Sequence, residues 1–181
     1  MIVLGIDPGS RITGYGVVEH EGKTSSLVDF GVIDLSGEAD HGRRLKQIYE
    51  GISRILEAYR PDACALEMPV YGKNPQSMLK LGRAQAAAML AALNAGLDVV
   101  QYTPKEVKKS VTGNGNAAKE QVWFMVRAVL AMADDDPVLK LDASDALAVC
   151  LCHAQRQSFG GNGRYSGWGA FLNANPNRIV R

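Results

Sequence analysis

Short apolar runs and longer stretches of helical periodicity follow one another along the chain. Residues 2–6 form the first run, IVLGI, and Asp7 comes directly after it. Residues 11–35 contain two more extended runs of Val, Ile and Phe, separated by the glycines and charged pairs that are typical of turns. Three consecutive strands with short connections predict an antiparallel meander, and we expect the first strand to lie centrally in the sheet.

An amphipathic helix and a fourth strand follow the meander. Residues 41–61 predict a helix that stops at Pro61, because large apolar side chains recur on one helical face. These side chains are Leu45, Ile48, Ile52, Ile55, Leu56 and Tyr59. Residues 62–68, DACALEM, predict a short buried strand that again ends in a carboxylate, Glu67.

Helices dominate the second half of the chain. An alanine-rich stretch at 77–96 ends in glycine and predicts a helix packed closely on the sheet, and residues 97–102 predict a fifth strand. The next helix has a well-marked start, since Thr103 can cap it, Pro104 suits its first position and Glu106 completes a capping box. Two more helices are predicted, at 117–132 and 141–157.

The order of these elements predicts an α/β fold. A meander followed by alternating helices and strands is typical of a mixed five-stranded sheet with helices on both faces. Residues 1–157 are long enough to bury one core, and residues 158–181 predict a Gly- and Asn-rich basic tail. The three aspartates of the ADDDP segment lack the ligand spacing of a calcium loop, so we interpret them as a solvated linker.

Composition narrows the function classes. The 181 residues contain no apolar run long enough to span a membrane and no signal-peptide pattern, which predicts a cytoplasmic protein without a membrane partner. The net charge of +1 conceals an asymmetry, because no acidic residue follows Asp145. Basic residues continue beyond it, at Arg156, Arg164, Arg178 and Arg181, and cluster at Lys105, Lys108 and Lys109. A nearly neutral chain can therefore carry a basic face.

Three cysteines in an odd, unpaired pattern argue against a disulfide framework or a structural zinc site. Cys150 and Cys152 stand beside His153, and this cluster could in principle bind a metal. Two residues apart on a helix, however, the two thiols point to different sides. We interpret them as buried small side chains.

Four carboxylates are the candidate chemistry. Asp7 and Glu67 each end an apolar strand, so neighbouring strands would bring them to one end of the sheet. Asp142 and Asp145, in the first turn of the last helix, share one helical face. A divalent cation would relieve their mutual repulsion, and oxygen-only ligands suit two Mg²⁺ ions or Mn²⁺. Taken singly, three of the four have an ordinary alternative: a turn for Asp7, a cap for Asp142 and a favourable charge at a helix start for Asp145.

Four ordered motifs carry a family resemblance. The segments GIDPGSRITGYGVV, ALEMPVYGKNPQSMLKLGRAQ, VKKSVTGNGNAAKEQV and DASDALAV resemble the RuvC family of Holliday-junction resolvases over roughly residues 1–155. The resemblance implies a ribonuclease-H-like fold, a homodimer, magnesium dependence and paired nicks in a four-way DNA junction. It also implies cooperation with a branch-migration motor of the RuvA and RuvB kind. The four carboxylates named above match the catalytic metal ligands, in the all-carboxylate variant of the family.

The same resemblance implies contacts with DNA. Lys108 and Lys119 match basic residues that the family places along bound DNA, which agrees with how lysines hold a phosphate backbone. In the loop after Glu67 the family uses an aromatic side chain at the crossover, followed by residues that match Lys73 and Asn74. Val70 stands at the aromatic position in this chain, so we expect Tyr71, the next residue, to stack on the bases.

Three other functions fit part of the pattern. GIDPGS also resembles the first phosphate loop of actin-like and sugar-kinase ATPases, but no second such loop follows and the paired aspartates would be unexplained. A non-catalytic DNA-binding module would need the lysines but not four carboxylates. A related nuclease acting on RNA or on linear ends would share the whole metal site.

Overall fold

The structure is a computed structural model, and it describes residues 1–69, 74–132 and 141–160, with the side chains of 141, 142 and 158–160 left out. Five strands and five helices occupy these ranges. The strands are β1 (Ile2–Asp7), β2 (Ile12–Glu21), β3 (Thr24–Asp34), β4 (Ala63–Glu67) and β5 (Val99–Tyr102). The helices are α1 (His41–Tyr59), α2 (Pro75–Asn94), α3 (Pro104–Thr112), α4 (Lys119–Val129) and α5 (Leu141–Gly160).

The strands form one mixed sheet in the order β3-β2-β1-β4-β5. Strand β1 is central, as predicted: it pairs antiparallel with β2 and parallel with β4. Strand β5 adds parallel to β4 at one edge, and β3 closes the antiparallel meander at the other. The predicted fold class is thereby confirmed.

Alternate residues of β1 feed two separate cores. Val3 points into a core formed with α3, α4 and α5, whereas Leu4 and Ile6 point into a core formed with α1 and α2. All three side chains are fully buried. Helices therefore cover both faces of the sheet, because a strand buried on both sides offers apolar side chains in each direction.

Helix α5 lies unusually close to the sheet because two glycines remove side chains from the contact. A Cβ atom at Gly5 would collide with the Ala146 carbonyl oxygen and the Cys150 Sγ, and one at Gly16 would lie 2.7 Å from Leu147 Cδ2. Only glycine tolerates so close an approach of another backbone. This contact fixes the start of α5 beside the end of β1.

Several element boundaries differ from the predicted ones. Helix α2 begins at Pro75, two residues early, because the Asn74 side chain caps it and proline suits the first position. Helix α5 begins at Leu141 and extends to Gly160. Asp145 is therefore its fifth residue and lies just beyond the first turn. The capping box at the start of α3 is present as predicted. Within the described ranges, no helix is long and apolar enough to cross a membrane.

Candidate active site

The ends of β1 and β4 bring two carboxylates to one edge of the sheet. Ile6 pairs with Leu66 in the parallel register, so the next residues, Asp7 and Glu67, are neighbours at the carboxyl ends of the two strands. Both side chains line a cleft of about 320 Å³. The predicted convergence of these two carboxylates follows from strand register alone.

Helix α5 supplies a third carboxylate to the same cleft. Asp145 lines it together with Asp7 and Glu67. The close packing of α5 on β1 explains this placement, since Ala146, the next residue, contacts the sheet at Gly5. Asp142 lies one turn earlier on α5, but its side chain is outside the described part of the chain, so its predicted role remains a prediction.

Two lysines face the carboxylates across the cleft. Lys119, the first residue of α4, donates from Nζ to Asp145 Oδ2 at 2.7 Å. Lys108 of α3 also lines the cleft, but its Nζ donates to the Ala117 carbonyl oxygen at 2.8 Å. Ammonium groups and carboxylates therefore line the same cleft. This combination suits the binding of a phosphodiester close to a metal.

The electrostatics of the cleft act most strongly on Glu67. Burial, together with the negative charges of Asp7 and Asp145, raises the pKa of this carboxyl to about 8, and the positive charges of Lys119 and Lys108 oppose this shift only in part. A carboxyl in this environment resists ionisation unless a cation lies beside it. The arrangement is typical of a functional site, because a folded protein gains no stability from crowding carboxylates.

The donor chemistry of the cleft fits a hard divalent cation, although the side chains do not yet enclose one. The three described carboxylates offer only oxygen ligands, the kind that Mg²⁺ and Mn²⁺ prefer. Among the described side chains, no three His, Cys, Asp or Glu residues lie close enough together to hold an ion in this conformation. The Asp142 side chain is not among these described side chains. The negative charge of Asp145 is already balanced by the Lys119 ammonium in their ion pair.

The turn that follows Asp7 is held by residues that the sequence analysis did not single out. Thr13, fully buried on β2, donates from Oγ1 to the Gly9 carbonyl oxygen at 3.1 Å. Arg44 reaches from α1 to the Ser10 carbonyl oxygen at 3.3 Å. Both anchor the backbone beside the metal-ligand candidate. In the sequence, this anchoring role is indicated only weakly, by the polar residue Thr13 within an otherwise apolar predicted strand.

The remaining predicted DNA contacts lie at the edge of what the structure describes. Asn74 is exposed and accepts hydrogen bonds from the Gln76 and Ser77 amides at 3.0 and 3.3 Å, so one side of its amide caps α2. Tyr71, Lys73 and Val70 fall outside the described residues. Their contacts with DNA remain predictions.

The cysteines are buried, as the sequence analysis predicted. Cys64, Cys150 and Cys152 are free thiols in the two cores. Cys150 Sγ donates to the Gly16 carbonyl oxygen at 3.2 Å. His153 is also buried, and its Nδ1 shares a hydrogen bond of 3.0 Å with the Tyr102 hydroxyl. Cys150 and His153 therefore have a structural role in the packing of α5 against the sheet.

Comparison with known proteins identifies the family. The family model for the crossover junction endodeoxyribonuclease RuvC matches residues 3–153. The chain belongs to the RuvC family. A RuvC from Salinibacter ruber is 55% identical over 179 residues, which cover 99% of each chain. The predicted family membership is confirmed.

Solved structures agree with this assignment to the RuvC family. Thermus thermophilus RuvC, determined in complex with a Holliday junction substrate, has a TM-score of 0.81 and 34% identity, covering 88% of this chain and 96% of its own. The yeast mitochondrial Holliday junction resolvase has a TM-score of 0.61 at 13% identity, covering 87% of this chain and 82% of its own, and it supports the fold alone. The family match decides against an actin-like ATPase, since a nuclease family accounts for the whole domain.

Proposed function

We propose that this RuvC-family protein is an endonuclease that resolves four-way DNA junctions by paired, metal-dependent nicks during homologous recombination and DNA repair. One observation carries the proposal: Asp7, Glu67 and Asp145 share a cleft with Lys108 and Lys119. Oxygen ligands for a hard cation and ammonium groups for a phosphate backbone are the two requirements of metal-assisted phosphodiester hydrolysis. The members of this family are named for cleavage at crossover junctions.

The ligands of the metal are Asp7, Glu67, Asp142 and Asp145 in this proposal. Asp142 joins the set because it precedes Asp145 by three residues on α5, the spacing that places two side chains on one helical face. Mg²⁺, with two ions per site and Mn²⁺ as a substitute, would supply an activated water and stabilise the leaving oxygen when bound. The high pKa of Glu67 is consistent with a carboxylate that is completed by a cation.

The chain itself binds and orients the DNA strand. Lys108 and Lys119 attract the phosphate backbone into the cleft, where contacts of this type set position without reading sequence. Lys108 is held by the Ala117 carbonyl oxygen, which fixes its ammonium at the mouth of the cleft. Tyr71, Lys73 and Asn74 complete the proposed interface, with the aromatic ring stacking on a base near the crossover.

A homodimer fits both the substrate and one face of α2 that is exposed within the described part of the chain. Leu79, Leu90 and Leu93 are exposed, and their spacing places them on one stripe of the helix together with the exposed Ala86. The opposite side of α2 buries its alanines in a core that α2 shares with α1 and the sheet, so the predicted packing on the sheet is mediated largely by α1. A two-fold dimer joined by this stripe would present two active sites to a two-fold junction.

We propose a motor of the RuvA and RuvB kind as the further partner, and the cytoplasm as the compartment. Three buried free thiols suit a reducing environment. The boundary between a nuclease domain at 1–157 and a basic tail at 158–181 is part of this proposal, with helix α5 extending three residues beyond that boundary, to Gly160.

Cleavage of end-labelled four-way junctions tests the proposal directly. We expect paired nicks near the crossover with Mg²⁺ and none with a chelator. Duplex and single-stranded DNA of the same sequence should stay intact, and a matched RNA substrate separates this activity from that of a related nuclease. Junction binding without cleavage under all metal conditions would contradict the proposal and favour a non-catalytic binding module.

A further inference from the structure

The positive charge of Lys119 does not stabilise α4, the helix to which this residue belongs. It is the first residue of α4, and a cation at a helix N-terminus opposes the helix dipole. The start of α4 is stabilised by other residues: Glu120 is the acidic residue of the first turn, and the Gln121 side chain accepts a hydrogen bond from the Ala118 amide at 2.9 Å. The charge is instead matched by Asp145, whose Oδ2 lies 2.7 Å from Lys119 Nζ. The ion pair spans two helices across the cleft.

The two partners differ in their freedom to move. The Lys119 side chain is 51% exposed, whereas that of Asp145 is 19% exposed and is fixed by the packing of α5 on the sheet. A lysine on a long flexible stem can leave such a pair at small cost, because exposed ion pairs contribute little. The carboxylate stays in the cleft when the ammonium leaves.

Lys108 provides an internal comparison. It lines the same cleft and carries the same charge, but its Nζ is held by the Ala117 carbonyl oxygen and not by a carboxylate. Both lysines contribute positive potential at Glu67. Of the two lysines, however, only Lys119 bonds a carboxylate that belongs to the proposed metal-ligand set.

We propose that the Lys119 ammonium is a built-in counter-cation that competes with the divalent metal for Asp145 in the DNA-free protein. The inference rests on the proposed function, since it assigns Asp145 to the metal. Metal entry requires the ammonium to leave Asp145. A phosphate that takes up the ammonium raises the metal affinity, and by linkage the metal raises the affinity for that phosphate by the same factor. Lys119 is in this sense a positioning residue that couples substrate to metal.

Metal titration of the DNA-free protein tests the competition without measuring activity. The full-length wild type, Lys119→Met and Lys108→Met are each titrated with Mn²⁺ by isothermal titration calorimetry. Methionine keeps the length of the stem and removes the charge. Circular dichroism melting curves check that all three proteins fold, and Lys119→Met should not lose helix stability because it removes an unfavourable charge from the N-terminus of α4.

We expect Lys119→Met to bind Mn²⁺ about fivefold more tightly than wild type, the upper range for release of a partly exposed ion pair. Lys108→Met should change the affinity by less than about twofold, because its partner is a neutral carbonyl. Equal gains in the two variants would overturn the inference, since a general field would then explain both. Unchanged or weaker binding by Lys119→Met would overturn it as well. Failure of every protein, wild type included, to bind Mn²⁺ would instead count against the proposed metal site itself.

Discussion

The two faces of the sheet are built by different kinds of contact. On one face, α1 and α2 pack through side chains: isoleucines and leucines of α1 and alanines of α2 meet Leu4, Ile6 and Leu66 of the sheet. On the other face, α5 crosses β1 almost backbone to backbone at Gly5, and at Gly16 of β2 the Leu147 side chain and amide lie directly over the strand. Side chains can adjust by rotamer, whereas two backbones in contact cannot.

This difference explains why the candidate chemistry lies on one face. The proposed ligands come from strand ends and from α5, and their relative positions depend on the backbone contact at Gly5. A site of this kind must hold its groups to within a fraction of an ångström. Among the described residues that line the cleft, none belongs to α1 or α2, and the α2 leucines of that face are exposed.

The largest effect should follow a change in the cleft itself. We expect Asp7→Asn to reduce junction cleavage by at least about 10³-fold, because the amide keeps the shape of the carboxylate but loses the charge that binds the metal. Folding and junction binding should remain, as gel-shift and thermal melting experiments would measure. Cleavage within tenfold of wild type would remove Asp7 from the ligand set.

The next effect compares the two faces directly. Gly5→Ala should cost about 3 kcal/mol in the free energy of unfolding, because the new methyl group meets the backbone of α5. Gly51→Ala is the matched change on the other face: its Cβ would lie 2.6 Å from Ile33 Cδ1, the end of a flexible side chain. There we expect a change of less than about 1 kcal/mol, since alanine also favours the helix. Urea denaturation measures both, and equal losses would contradict the contrast.

A third prediction concerns the open stripe of α2. Leu90, which is 54% exposed, should lie in the dimer interface, so Leu90→Ser should raise the dimer dissociation constant by at least about tenfold. Phe124 on α4 is the control, because it is 70% exposed on the opposite face and its change to serine should leave the dimer intact. Analytical ultracentrifugation distinguishes the two. Dissociation caused by the Phe124 variant alone would place the interface on the other face.

Much of this architecture could be predicted because local signals decided it. The strand ends at Asp7 and Glu67, the capping box at Thr103 and the burial of Cys150 all followed from patterns within a few residues. The start of α2 is less clear in the sequence, because Asn74 matches a family DNA contact and its role as a helix cap depends on the conformation of the preceding backbone. Asp145 is expected in the first turn of its helix and lies one residue beyond it.

Pairings between distant segments could not be predicted. Nothing near Lys119 in the sequence indicates that it would bind Asp145, 26 residues away, because that distance is set by how α4 and α5 pack. The anchoring of the turn after Asp7 by Arg44 depends in the same way on the position of α1. Local patterns specify elements, whereas these contacts depend on the assembled sheet and both of its helical layers.

The smallest predicted effect is a change of protein stability with pH that arises from one buried histidine on α5. His153 is buried, and within the described residues its Nε2 has no hydrogen-bond partner while Nδ1 bonds the Tyr102 hydroxyl. Burial lowers the pKa of this imidazole below its usual value of 6.5. The charged groups beside its partner Tyr102 are Arg156, which lies over the Tyr102 ring, and Glu106, which forms an exposed ion pair with that arginine.

The sign of the effect follows from linkage. As the pH falls from 6.5 toward the lower pKa of the folded state, the unfolded chain binds a proton at this histidine that the folded protein does not bind, so stability falls as the pH falls. We therefore expect wild type to lose more stability between pH 7.5 and pH 5.5 than His153→Asn, which keeps a polar group near the Tyr102 hydroxyl and cannot be protonated. Other titrating groups are common to both proteins, so the difference between their urea midpoints isolates His153. If the two proteins show the same dependence of stability on pH, the packing of α5 on the sheet does not keep this imidazole neutral. Water would then reach the interface between α5 and the sheet in spite of the close contacts at the glycines.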